Sequence, residues 1–278
     1  MRLVFLTLFS LLLINCKSSK TNRHDRLDVL FIGNSLTYYY DMPIILQSML
    51  EETHPNIRVE QKTSPGMSLS SHLNDIFMFQ GENNASVRKK EDFEISLTEK
   101  KITEKKWDVI ILQTGTVAVL IPENRELVTN LAIKRVKQLI SDENCEIVLF
   151  ETWPSLNKYP KKYCYSSYRI DENIQKEKCC SSTFKNLEDE YNSIGESYKW
   201  LSAENNIIKS ENGSKFYEVL MTYPELNLYE DSIHPNENGA FLNACIFYNL
   251  LTGKKATKLK YVGDLNVETA RLLKKISL

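Results

Sequence analysis

Short apolar segments alternate along the chain with stretches in which apolar residues recur at helical spacing. Most of the apolar segments are nearly continuous runs of Val, Ile and Leu, and their lengths predict buried strands. They are residues 27–32, 57–62, 107–113, 145–150 and 206–209. The stretches with helical spacing cover about residues 44–50, 123–142, 184–204, 240–251 and 267–276. Such alternation predicts an α/β fold, with a mostly parallel sheet of five strands covered by helices on both faces.

The chain begins with an apolar segment of a different kind. Residues 3–14 are almost all apolar and are followed by a polar stretch, and a run of this length is too short to span a bilayer but is typical of a secretory signal. Cys16 follows Leu-Ile-Asn15, which resembles a bacterial lipobox. We therefore expect a lipoprotein signal peptide at 1–15, a lipidated Cys16 and a tether over 16–26. The alternative is a signal cut elsewhere or an uncleaved anchor, because Asn15 replaces the usual small residue.

Composition limits the function classes. The chain has 278 residues, of which 42% are hydrophobic, and 35 basic residues almost balance 36 acidic ones. This predicts one domain, over residues 27–278, with no general attraction to nucleic acid and no membrane contact besides the anchor. Residues 154–184 are polar and rich in Tyr, Lys, Ser and Cys, so we expect an insertion there. We expect a monomer that is exported and is either anchored in the cell envelope or secreted.

The cysteines fit an exported protein. Cys145 and Cys245 lie in apolar contexts and are expected to be buried free thiols. Cys164 lies about fifteen residues before Cys179 and Cys180 in the polar segment, so a disulfide from Cys164 to either of them is expected. Neither the spacing nor a nearby histidine matches a zinc pattern, and no metal or other cofactor is predicted.

Two distant segments could together carry nucleophilic chemistry. Ser35 directly follows the first predicted strand, and Asp231 and His234 follow the last one. Open parallel sheets place ligands outside the carboxyl ends of their strands, so both segments can reach the same edge. A serine hydroxyl becomes a useful nucleophile when an imidazole takes its proton and a carboxylate orients that imidazole. Each segment alone could instead be a helix cap or a capping turn.

These residues give the chain a resemblance to the SGNH (GDSL-type) hydrolases. Gly33-Asn34-Ser35-Leu36 stands where that family has Gly-Asp-Ser-Leu, and Asp231-x-x-His234-Pro resembles its Asp-x-x-His block. The resemblance extends over about residues 27–276. It implies a flavodoxin-like three-layer α/β/α fold and a catalytic triad of Ser35, His234 and Asp231.

The resemblance also implies donors for an oxyanion. Gly66 follows the second strand as the family's oxyanion glycine does, although a glycine needed only for a turn with positive φ is the alternative. The family's third donor is an asparagine that this chain lacks, and Gln113 at the end of the third strand is the candidate replacement. Its alternative is a glutamine hydrogen bonded into the sheet edge. For His72, near Gly66, we expect a surface position.

The function implied is that of a serine esterase acting in two acyl-transfer steps. We expect short, acetyl-like groups to be removed from an extracytoplasmic carbohydrate or a similar ester, because no long apolar lid for fatty chains is visible. Two alternatives stay open. One is an O-acyltransferase on the same scaffold, and the other is a non-catalytic lipoprotein that binds a glycan or a partner through residues 154–184.

Overall fold

The computed structural model describes residues 26–80 and 84–278. Its strands are β1 Leu27–Gly33, β2 Ile57–Thr63, β3 Asp75–Gln80, β4 Asn84–Lys89, β5 Val109–Leu112, β6 Glu146–Leu149, β7 Cys164–Ser166, β8 Lys178–Cys180 and β9 Ile208–Lys209. Its helices are α1 Ser35–Tyr38, α2 Met42–Thr53, α3 Leu69–Asn74, α4 Leu97–Thr103, α5 Thr116–Leu120, α6 Pro122–Asn124, α7 Asn130–Leu139, α8 Leu187–Asn205, α9 Asn212–Thr222, α10 Glu237–Thr252 and α11 Val267–Ile276.

The central sheet has five strands in the order β2-β1-β5-β6-β9. Every pairing in it is parallel, and Val29 of β1 lies beside Val59 of β2 and Val109 of β5. The order reverses direction at β1, so a crevice opens beside the carboxyl end of β1. The predicted parallel sheet of five strands is confirmed, and it places the loops after β1, β2 and β5 next to one another.

Both faces of the sheet are buried, because side chains alternate along each strand. Phe31 points into a core formed with α2, α10 and α11, whereas Leu30 and Ile32 point into a second core formed with α3, α4, α7 and α8. The four apolar residues from Val29 to Ile32 are therefore almost completely buried. The result is the expected three-layer α/β/α arrangement.

Several elements differ from the sequence prediction. The helix expected at 123–142 is divided into a π-helical turn at Arg125–Thr129 and the regular helix α7. The hairpin of β3 and β4 pairs only with itself and lies outside the central sheet. Helix α9 was not predicted at all.

The segment between β6 and α8 contains a small hairpin of β7 and β8. Cys164 and Cys180 are directly opposite each other in it and form a disulfide. Cys179 faces the other way and is a buried free thiol. Cys245 is buried and free as predicted, whereas Cys145 is free but only half-buried, because it lies at the start of β6 near solvent.

The expected signal peptide, Cys16 and the tether before residue 26 lie outside the described residues. Within residues 26–80 and 84–278, no helix is both long and apolar enough to cross a membrane.

Candidate active site

Ser35 lies where β1 ends and is the first residue of α1. Asn34 caps this helix: its side-chain oxygen accepts a hydrogen bond from the Leu36 N–H at 3.1 Å. The Asn34 amide also donates to the Met67 carbonyl at 2.9 Å. A carboxylate could accept the first of these hydrogen bonds but could not donate the second. Asparagine in place of the family's aspartate therefore ties the loop after β1 to the loop after β2.

Gln113 supports the same turn from β5. Its side-chain oxygen accepts hydrogen bonds from the Asn34 N–H at 2.7 Å and the Thr37 hydroxyl at 3.1 Å. Its side-chain N–H donates to the Thr114 carbonyl at 2.7 Å, and the residue is 1% exposed. These contacts match the alternative interpretation of Gln113, in which it is hydrogen bonded into the sheet edge.

Gly33 allows this close packing. A Cβ at this position would collide with the Thr37 hydroxyl and would lie 2.6 Å from Gln113 Oε1. Such separations do not occur between real Cβ atoms and their neighbours, so any side chain at residue 33 would displace the turn that carries Ser35.

The three residues predicted as a triad are connected by hydrogen bonds. Ser35 Oγ lies 2.9 Å from His234 Nε2, and His234 Nδ1 lies 2.7 Å from Asp231 Oδ2. An ionised carboxylate can only accept, so Nδ1 carries the proton and Nε2 is left to accept the hydrogen bond from the serine hydroxyl. The imidazole is thus in the tautomer that a general base needs.

Asp231 is held ionised. Its partial burial acts to raise its pKa, but hydrogen bonds from the His234 N–H, the His234 ring and the Ile233 N–H outweigh this and lower the pKa to about 2. The two backbone hydrogen bonds measure 2.8 Å and 2.7 Å and both end on Oδ1. Oδ2 is therefore left for the imidazole.

The loop that carries Asp231 and His234 is fixed by the segment after β6. Trp153 donates its ring N–H to the Ile233 carbonyl at 2.9 Å, and the Leu156 N–H donates to the Ser232 carbonyl at 2.8 Å. The Tyr229 hydroxyl donates to the Pro154 carbonyl at 2.8 Å. These contacts explain how residues about 200 positions apart along the chain meet at one edge of the sheet.

Tyr39 completes the surroundings of His234. Its ring stacks on the imidazole, with centroids 4.2 Å apart and planes at 10°. The next two residues, Tyr40 and Asp41, both have left-handed backbones with φ of 50° and 54°. The Tyr40 hydroxyl donates to Glu230 at 2.5 Å, next to Asp231. The pattern of polar and apolar residues does not predict this stack, because Tyr39 and His234 lie far apart in the chain.

Two backbone N–H groups are free at this edge. In the part of the chain that the structure describes, neither the Ser35 N–H nor the Gly66 N–H has a hydrogen-bond partner. Gly66 has φ of +66° and is exposed, in the loop that Asn34 holds through Met67. An oxyanion requires free N–H donors, and these two belong to the nucleophile itself and to the loop after the neighbouring strand.

His72 is buried rather than at the surface. Its ring is 1% exposed, with Nε2 2.8 Å from the Gly33 carbonyl and Nδ1 2.9 Å from the Thr98 hydroxyl. Because a carbonyl only accepts, Nε2 carries the proton. Burial, opposed by this hydrogen bond and aided by the charge of Lys62, lowers its pKa to about 4. The expected surface position was wrong, because both ring nitrogens have buried hydrogen-bond partners, the Gly33 carbonyl and the Thr98 hydroxyl.

Two cavities lie near this edge. A cavity of about 530 Å³ is lined by His72 and by the exposed side chains of Phe93 and Ile95, but by none of the three triad residues. A polar cleft of about 270 Å³ begins at Gly66. Among the described residues, no three histidine, cysteine or carboxylate side chains group as metal ligands.

Solved structures share this fold. A DUF4886 family protein from Bacteroides uniformis superposes with a TM-score of 0.66 at 16% identity, over 91% of this chain and 93% of that one. A candidate SGNH hydrolase from Slackia heliotrinireducens gives 0.52 at 18% identity, over 82% of this chain and 100% of that one. An acetyl xylan esterase from Geobacillus stearothermophilus gives 0.51 at 17% identity, over 82% and 95%.

No protein-family model matches the chain, and no curated protein matches it in sequence. The structural likenesses establish the fold, which is that of the SGNH hydrolases. The predicted α/β/α fold and the resemblance to this fold family are confirmed.

Proposed function

We propose that this chain is a serine esterase, with Ser35 as nucleophile, His234 as general base and Asp231 as the carboxylate that orients it. The observation that carries the proposal is the unbroken series of hydrogen bonds from Ser35 Oγ through the imidazole to Asp231, at 2.9 Å and 2.7 Å. Hydrogen-bond reach between nucleophile and base is the first geometric requirement of this chemistry.

The proposed reaction has two steps. His234 Nε2 takes the proton of Ser35 Oγ while this oxygen attacks the ester carbonyl, and the N–H groups of Ser35 and Gly66 bind the oxyanion that forms. The imidazolium then gives the proton to the alcohol oxygen as the ester bond breaks, which leaves an acyl-serine. In the second step His234 activates a water, which attacks the acyl-serine and releases the acid and the free serine.

Gln113 is not given a place among the oxyanion donors in this proposal. Its side-chain oxygen already accepts from Asn34 and Thr37, and its amide donates to the Thr114 carbonyl. We assign it the role of holding the turn before Ser35. Cys16 keeps its proposed role as a lipid anchor, and an extracytoplasmic location goes with it.

A short acyl group on a carbohydrate is the proposed substrate. The cleft that starts at Gly66 is lined mainly by Ser, Thr, Asn, Lys and Arg side chains, which suit a sugar better than a fatty chain. The fold is shared with an acetyl xylan esterase, and the activity in that protein's name agrees with this choice. No cofactor is needed for the steps given above.

The test is hydrolysis of p-nitrophenyl acetate by the wild-type chain and by Ser35→Ala. We expect the wild-type chain to turn the ester over and the variant to lose at least about a thousandfold in kcat. Ser141→Ala, a change at an exposed position in the loop between α7 and β6, is the matched control for general damage. Undiminished turnover by Ser35→Ala would disprove the assignment.

A further inference from the structure

The cleft that begins at Gly66 has walls from four parts of the fold. The loop after β2 and helix α3 provide three serines, the segment around α6 provides Asn124 and Thr129, β4 provides Lys89, and the disulfide-linked hairpin provides Tyr165 and Arg169. This hairpin belongs to the polar segment that the sequence marks as an insertion. The insertion therefore forms one side of a cleft that starts next to the proposed oxyanion site.

The charge in this cleft is entirely positive. Lys89 and Arg169 are the charged residues that line it, and no carboxylate does. Lys89 already contacts Asp75 at 2.7 Å. Arg169, in contrast, has no ion pair and no side-chain hydrogen bond within residues 26–80 and 84–278. A guanidinium left without a partner can bind a carboxylate through two parallel hydrogen bonds.

The position of Arg169 is fixed by the chain around it. The N–H groups of Ile170 and Asp171 both donate to the Ser167 carbonyl, at 2.9 Å and 3.0 Å, and form the turn that carries Arg169. The Ser167 N–H donates to the Glu177 carbonyl at 3.0 Å. The disulfide between Cys164 and Cys180 closes the same hairpin. The backbone that carries Arg169 is thus held in place by these hydrogen bonds and by the disulfide, and it is not part of a long unsupported loop.

The other lining groups suit a sugar. The Tyr165 hydroxyl has no hydrogen-bond partner among the described residues, and its ring is half-buried in the wall of the cleft. The hydroxyls of Ser70 and Thr129 and the side-chain oxygen of Asn124 add acceptors and donors for ring hydroxyls. A volume of about 270 Å³ is suited to one sugar unit rather than to a long oligomer.

We propose that this cleft is a subsite for an acidic sugar, a carboxylate-bearing residue of the glycan that carries the ester, with Arg169 binding the carboxylate. This inference rests on the proposed esterase function, because it places the acidic sugar next to the acylated one. It assigns the insertion the task of substrate selection. Arg169 is a binding residue in this scheme and takes no part in bond making or breaking.

The test is calorimetric titration of the full chain with trigalacturonate, an acidic trisaccharide that carries no ester. Maltotriose is the neutral comparison, and inorganic phosphate tests whether any anion suffices. We expect trigalacturonate to bind and maltotriose to bind at least about tenfold more weakly. Arg169→Gln is expected to weaken binding by about tenfold or more, and Arg169→Lys to weaken it less, because lysine keeps the charge but not the paired donors.

Lys162→Gln is the matched control, because it removes one positive charge from an exposed position of the same insertion that does not line the cleft. It should bind trigalacturonate as the wild-type chain does, and thermal unfolding of each variant confirms its folding. Failure of trigalacturonate to bind, equal binding of maltotriose or of phosphate, or unchanged binding by Arg169→Gln would each overturn the proposal.

The probe separates this inference from the esterase proposal, because its binding requires no reaction. A chain that binds trigalacturonate through Arg169 but hydrolyses no ester would overturn the proposed function and leave the subsite standing. A chain that hydrolyses p-nitrophenyl acetate but does not bind trigalacturonate would overturn the subsite alone.

Discussion

The ring of Tyr39 lies flat against the imidazole of His234, with centroids 4.2 Å apart. An aromatic face attracts a cation, so in the proposed reaction this ring would stabilise the imidazolium that forms when His234 takes the serine proton. It also covers one face of the imidazole, whose side chain is 19% exposed. In the proposed reaction Tyr39 is therefore a positioning residue that acts through His234.

We predict that Tyr39→Leu lowers kcat for p-nitrophenyl acetate by about two- to fivefold, which corresponds to a lost cation–π contact of about 0.5–1 kcal/mol. Tyr39→Phe keeps the aromatic face and should keep most of the wild-type kcat. Steady-state kinetics of both variants checks this. A Leu variant as fast as the Phe variant would show that the stack has no influence on the reaction.

We predict that Asp231 raises kcat by holding the proton of His234 on Nδ1. In Asp231→Asn, the side-chain oxygen can still accept from the Ile233 and His234 N–H groups, so the loop should keep its shape. The new amide would face His234 Nδ1 with a donor and would favour the proton on Nε2, which then cannot accept the serine proton. We expect kcat to fall by about a thousandfold or more.

The control for Asp231→Asn is its thermal unfolding, which should be close to that of the wild-type chain. The prediction is wrong if the variant is well folded and keeps more than about a tenth of the wild-type kcat, because tautomer control would then not limit the reaction.

We predict that Gln113 stabilises the folded chain through the hydrogen bonds that its side chain accepts. Gln113→Leu would leave the buried N–H of Asn34 and the buried hydroxyl of Thr37 without their acceptor. Unsatisfied buried donors cost about 1–3 kcal/mol each, so we expect the free energy of unfolding in urea to fall by about 2–4 kcal/mol. Gln113→Glu keeps an acceptor for both groups but buries a carboxylate whose second oxygen faces the Thr114 carbonyl, so it should be destabilised as well. If Gln113→Leu retained full stability but lost turnover, Gln113 would be an oxyanion donor after all.

We predict that His72 makes the free energy of unfolding depend on pH. Its pKa in the folded chain is about 4, below the ordinary value of 6.5. As pH falls below 6.5, the unfolded chain therefore takes up a proton that the folded chain does not, and stability is lost until the pH approaches 4. This group should lower the free energy of unfolding by about 2 kcal/mol between pH 7 and pH 4.5.

His72→Gln cannot take up that proton, although glutamine can still donate to the Gly33 carbonyl. We expect the difference in unfolding free energy between pH 7 and pH 4.5 to shrink by about 2 kcal/mol relative to the wild-type chain. Urea denaturation of both proteins at the two pH values measures it. An identical pH dependence would mean that the ring titrates normally in the folded chain.

Much of the fold could be predicted from the apolar pattern. Strands β1, β5 and β6 are short runs of Val, Ile and Leu buried on both faces, and such runs are hard to mistake. The β3–β4 hairpin was missed although residues 76–79 are apolar, because it pairs outside the central sheet and breaks the alternation of strands with helices. The π-helical turn before α7 was also missed, because the spacing of apolar residues does not distinguish it from a regular helix. Leu127 and Leu131, in and just after this turn, are exposed.

The candidate site was predictable only in part. Ser35, Asp231 and His234 could be placed together because each follows a strand of one parallel sheet. Tyr39 could not, since its stacking on His234 depends on the packing of two segments that lie far apart in the chain. The burial of His72 depends on two hydrogen-bond partners that are distant along the chain, the Gly33 carbonyl and the Thr98 hydroxyl, and no pattern of polar and apolar residues reveals them.

Covalent labelling with a fluorophosphonate, followed by peptide mass spectrometry, tests most directly whether Ser35 is a nucleophile activated by His234. We predict one adduct, on Ser35, in the wild-type chain and its near disappearance in His234→Ala, because the serine then has no base. Labelling of a different serine, or labelling of Ser35 that is as fast in His234→Ala as in the wild-type chain, would contradict it.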